Sequence, residues 1–64
     1  MCLSTVYKET QDADNILMKN VVTIECREGE VVLTDLMGAE LVIPGILKKA
    51  SLVDGYALVG AANA

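Results

Sequence analysis

Two cysteines, Cys2 and Cys26, and a complete lack of histidine define the chemistry open to this 64-residue chain. Without imidazole there is no triad of the Ser-His-Asp kind, no His-rich zinc site and no access to the commonest general base. No CxxC pair occurs, so a single chain cannot assemble a four-thiolate zinc site. The five glycines are scattered through turn-like segments, and neither GxGxxG nor a phosphate-binding P-loop is present. The hydroxyl side chains have no evident base beside them. These features point away from an enzyme.

Cys2 follows Met1 directly, an unusual place for a structural thiol because chain ends fray. Methionine is normally trimmed when the second residue is small, so the mature chain is expected to start with this cysteine. Its α-amine and thiolate then close a five-membered ring on a metal, two ligands from one residue. Unperturbed pKa values are about 7.7–8.0 for the amine and about 8.5 for the thiol, so a metal displaces weakly held protons near neutrality. Two copies at a two-fold axis supply two nitrogens and two sulfurs. That flat set suits Ni(II), although Cu(II) accepts similar ligands and zinc a tetrahedral version. The plainer alternative is an ordinary residue of a first strand.

Other candidates read as structural. Cys26 alternates with Val22 and Ile24, which predicts a small buried hydrophobe and no ligand role. Glu9, Asp12 and Asp14 fall short of the oxygen count and fixed spacing of a calcium loop, so a solvated loop is expected. Lys48 and Lys49 are a solvated pair and not a basic patch.

The elements that carry these residues are short β-prone runs between turn signals, which predict an all-β domain over residues 1–64. Residues 2–8 read as a first strand and 9–15 as a polar loop. Residues 16–20 lead into a strand at 21–26, with Val22, Ile24 and Cys26 on one face. Turns follow at Gly29 and Gly38, with strands at 30–36 and 40–44. Pro44-Gly45 ends the latter. Residues 46–55 place Ile46, Ala50 and Leu52 on one parity, with a helical turn conceivable at 46–50. Asp54-Gly55 predicts a two-residue hairpin before a last strand at 56–60. About six strands closing on themselves give a small SH3-like barrel.

Apolar residues make up 53% of the chain, with no Trp or Phe and two Tyr. The core is therefore aliphatic, drawn from eight Val, eight Leu and four Ile. So much aliphatic surface is hard to hide in one small body, which predicts a homodimer. A net charge of −4 and few aromatic platforms exclude nucleic acid as an expected partner. No basic start leads into a long apolar stretch, so a cytoplasmic protein without membrane attachment is expected.

The opening MCLSTVYK, the glycine turn before EVVLTDL, the Pro44-Gly45 corner and the Asp54-Gly55 turn occur in an order that resembles the CooT family. The resemblance spans nearly the whole chain. It implies an SH3-like homodimer that binds nickel as a metallochaperone in the maturation of carbon monoxide dehydrogenase. It also implies that Cys2 holds Ni(II) at the dimer interface; Cys26 matches no family ligand. HypC hydrogenase-maturation chaperones, small β-barrels that also begin Met-Cys-Leu, are a second resemblance. Here Ser4-Thr5-Val6 stands where that family tends toward Ala-Ile-Pro, and no histidine follows. A metal-free SH3-like interaction module is the remaining alternative.

Overall fold

A computed structural model of the chain describes residues 3–61. Among these, the β-prone runs become β1 (Ser4–Lys8), β2 (Ile16–Arg27), β3 (Glu30–Asp35), β4 (Glu40–Pro44), β5 (Ile46–Ser51) and β6 (Tyr56–Gly60). One 3₁₀ turn, Ala13–Asn15, interrupts the polar loop between β1 and β2. The helical turn conceivable at residues 46–50 is not formed. That segment is β5, where pairing with β6 outweighs a weak helical preference.

The strands form one sheet in the order β4-β3-β2-β1-β6-β5, antiparallel throughout except for the parallel pair β1 and β6. The all-β expectation holds, but the closed barrel does not. β4 and β5 are the two edges of an open sheet, with no ladder between them. The reason lies at the Pro44-Gly45 corner. β4 ends at Pro44 and β5 begins at Ile46, so a single residue joins the two edges. The common tight hairpins need two connecting residues, and a one-residue link sends the strands apart.

Gly45 makes that corner possible. Its φ of +143° is open to glycine, and a Cβ there would collide with the carbonyl oxygen of Gly60. Its N–H donates to the Gly29 carbonyl at 3.0 Å, tying the corner to the β2–β3 turn.

The core is aliphatic, as composition requires. Val6, Val21, Val31, Leu33, Ala57 and Val59 are buried, with Leu17, Met18, Ile24, Ile43 and Leu47 packed against them. Simple alternation along β2 misplaces two residues. Val21 opposes Asp35 while Thr23 opposes Thr34, so Val22 is an extra residue in a bulge. Asn20, just before it, has φ +58°. The bulge reverses the parity, burying Val21 and leaving Val22 exposed. β5 repeats the device. Leu47 opposes Val59 and Lys49 opposes Leu58, which leaves Lys48 bulged. Leu47 turns toward the core, while Ile46 and Ala50 stay exposed.

The β5–β6 connection is longer than the expected two-residue hairpin. It runs from residue 52 to residue 55 and closes through Gly55 N–H donating to the Ser51 carbonyl at 2.9 Å. Gly55, at φ +75°, ends this turn, and Leu52 belongs to it instead of to a strand.

Candidate functional site

Cys2, the residue with the most chemistry, lies outside the described residues, as does Met1. Its covalent neighbour Leu3 is described, and the surroundings of Leu3 define the candidate site. Ser4 pairs with Val21, and Val21 pairs with Asp35 at the end of β3. On the other side Thr5 pairs with Tyr56, and the Thr5 N–H donates to the Gly55 carbonyl at 3.0 Å. The start of β1 therefore sits between two turns, one from β3 to β4 and one from β5 to β6.

Both turns are built by local hydrogen bonds. In the first, the Asp35 carboxylate accepts from the backbone N–H groups of Met37 and Ala39, each at 2.9 Å. Leu36 N–H donates to the Asn20 carbonyl at 2.9 Å, which docks the turn on the irregular point of β2. In the second, the Ser51 hydroxyl accepts from Asp54 N–H and donates to the Asp54 carboxylate, both at 3.3 Å.

These turns hold apolar side chains out in solvent. Met37 is 88% exposed, Leu52 82% and Val53 97%, while Leu3, Val22 and Leu36 are also exposed. A shallow cleft of about 390 Å³, lined by Ser4, Val21, Val22, Ile24 and Leu52, lies beside the start of β1. Thus six of the nine large exposed hydrophobic residues gather at one end, around Leu3. Reading by strand parity missed this cluster. The signal was present in the sequence: Leu36-Met37 and Leu52-Val53 each lie within three residues of a turn glycine, where a single subunit offers no core to bury them.

The remaining candidates are not brought together with this end. Glu9, at φ +68°, accepts the Ala61 N–H at 3.2 Å and so holds the exit of β6. Asp12 and Asp14 are exposed. Among the described residues, no group of three or more cysteine or acidic side chains is placed to hold a metal. Lys49 is not wholly solvated, since its ammonium lies 5.7 Å from the centre of the Tyr56 ring.

Cys26 is a free, exposed thiol, which corrects the expectation that it packs in the core. It opposes buried Val31, but it lies beyond Ile24, the last residue of β2 that packs on the core. Cys26→Ala is accordingly expected to change stability by less than about 0.5 kcal/mol. Chemical denaturation checks this, and a loss above about 1 kcal/mol would restore a packing role.

On the face of the sheet opposite the core, Arg27 pairs with Glu25 at 3.2 Å. The hydrogen bond and charge of Glu25 raise the pKa of this arginine, and Glu30 and Glu40 act in the same direction. Only the Glu25 carboxylate is in contact with the guanidinium. Among the described residues no helix is long and apolar enough to cross a membrane.

The chain matches the model of the family described as CooT, CO dehydrogenase accessory protein, over residues 1–59. No curated protein matches it. Among solved structures, it is similar to a crystal structure assigned to CooT from Carboxydothermus hydrogenoformans. The two share 22% identity and superpose with a TM-score of 0.79, covering 94% of this chain and 97% of the other. At that identity the likeness speaks for the fold, while the family match rests on most of the sequence from the MC opening to Val59. The chain belongs to the CooT family of CO dehydrogenase accessory proteins.

Proposed function

We propose that this accessory protein is a Ni(II)-binding metallochaperone for CO dehydrogenase or another nickel enzyme, with the metal held by Cys2 of each protomer at a homodimer interface. It carries cargo and does no catalysis, and its place is the cytoplasm. The observation that carries the proposal is the apolar end around Leu3. Exposed patches of this kind mark association surfaces. A two-fold axis through this end would cover Leu36, Met37, Leu52 and Val53 and bring the two chain starts together.

The chemistry of the chain start agrees with that arrangement. Once Met1 is removed, each protomer contributes one thiolate and one terminal amine, and two protomers complete a four-coordinate N₂S₂ set. A site closed only by dimerisation opens readily, which suits a metal held for transfer.

Native mass spectrometry of the mature protein with Ni(II) tests this reading, since it reports Met1 removal, dimer and metal stoichiometry together. The expected species is a dimer with one Ni(II). Changing Leu52 and Val53 together to aspartate should shift it to a monomer and lower nickel affinity at least tenfold, about 1.4 kcal/mol. A wild-type species of 6.8 kDa at micromolar concentration would contradict the shared site.

A further inference from the structure

The two edges of the open sheet differ, and the difference has a direction. β5 is guarded against pairing by its bulge at Lys48 and by two consecutive lysines, both known means of blunting an edge. β4, ELVIP, has neither a bulge nor a lysine.

The backbone groups that β4 offers can be worked out. Asp35 N–H donates to the Ala39 carbonyl at 3.0 Å, and Gly45 N–H donates to the Gly29 carbonyl at 3.0 Å. In an antiparallel ladder the polar groups of alternate residues point the same way. Residues 39, 41, 43 and 45 therefore face β3, and Glu40, Val42 and Pro44 face outward. The outward set holds two N–H donors and three carbonyl acceptors. Pro44 lacks its N–H on this outer side, so proline costs the β3–β4 ladder nothing.

The side chains around that edge define what fits it. Val31 and Leu33 point into the core, so Glu30, Val32 and Thr34 lie on the opposite face. Register then sets three rows across that face. These are Thr23–Thr34–Glu40, Glu25–Val32–Val42 and Arg27–Glu30–Pro44. At the centre of this face Val42 is exposed and Val32 is buried beside it, flanked by Glu25, Glu30 and Glu40 with one arginine. Leu41 and Ile43 lie on the other face of β4, where Ile43 packs on the core and Leu41 is exposed.

We infer that β4 is a docking strand for an extended segment of a partner protein, basic beside Glu40 and beside Pro44, across which Glu30 lies, and apolar between them. Such a segment adds a seventh strand through the Glu40 and Val42 backbone groups and extends the core past Leu41 and Ile43. A second copy of this chain fits less well. Two β4 edges would juxtapose two acidic faces in a protein of net charge −4. The inference stands apart from the proposed metal site, because it uses residues at the opposite side of β3 from the start of β1.

The test uses metal-free full-length protein and the synthetic peptide Thr-Thr-Lys-Leu-Val-Leu-Lys-Thr-Thr, whose symmetric pattern fits either strand direction. Amide exchange at Glu40 and Val42, followed by NMR, should slow about tenfold or more on adding peptide. A peptide with glutamate in place of both lysines should have no such effect. Val42→Pro removes an outward N–H without touching the β3 ladder, and it should abolish peptide protection while Leu41 and Ile43 remain protected. Glu40→Lys should shift the preference toward the glutamate peptide. Undiminished binding by Val42→Pro, or peptide-induced shifts confined to other strands, would overturn the assignment. Protection of Glu40 and Val42 that grows with protein concentration alone would assign the edge to a second copy and equally overturn it.

Discussion

Gly45→Ala is expected to destabilise the protein by about 3 kcal/mol or more, among the largest effects of any single methyl group added to this chain. Two costs combine. The backbone at φ +143° is a region that side chains rarely adopt, and the added Cβ would run into the Gly60 carbonyl oxygen. Neither partner can yield, because Gly45 is a one-residue link between β4 and β5 while Gly60 is held in β6. A domain of this size is stable by about 3–10 kcal/mol in total, so the variant should be largely unfolded or have a sharply lowered midpoint in urea. Gly60→Ala is the internal control. Its Cβ would meet Lys48 Cε at 2.6 Å and the Glu9 carboxylate at 2.9 Å, both ends of flexible side chains that can move aside. The expected cost is about 1 kcal/mol. Equal midpoints for the two variants would show that the corner does not depend on glycine.

This corner also shows where sequence reading succeeded and where it stopped. Pro44-Gly45 marks the end of a strand, and the structure ends β4 there. Nothing in the dipeptide says that the next strand starts one residue later and leaves the sheet open. Turns at Gly29 and Gly38 were legible because positive φ, +79° and +91°, needs glycine there. Bulges were not legible. Val22 and Lys48 each reverse a parity, and a bulge depends on pairing across the sheet rather than on local pattern. Cys26 was misread for a related reason: alternation gives the face of a side chain but not how far along that face the core extends. The parallel pairing of β1 with β6 brings the first and last strands together and places Leu3 beside Gly55. That juxtaposition is topological, so the apolar end around Leu3 could not be read from spacing.

Cys2→Ser is expected to lower Ni(II) affinity by at least a hundredfold, about 2.7 kcal/mol, without unfolding the domain. A hydroxyl stays protonated near neutral pH and is a far poorer ligand for nickel than a thiolate. The fold should survive because the core residue of β1 is Val6, four positions further on. Wild-type binding should weaken as pH falls. The amine and thiol must both lose protons to bind, and their ordinary values of about 7.7–8.0 and about 8.5 place the loss below pH 8. Retention of Met1 should reduce affinity less than the serine change does, since the thiolate remains while the free amine is lost.

Isothermal titration of Ni(II) into mature wild type and mature Cys2→Ser, at one pH and one protein concentration, tests the central claim most directly. One Ni(II) per two wild-type chains and no measurable binding by the serine variant are expected. Equal affinity and stoichiometry in the two proteins would contradict it, and the thiol beside Met1 would then have no part in holding nickel.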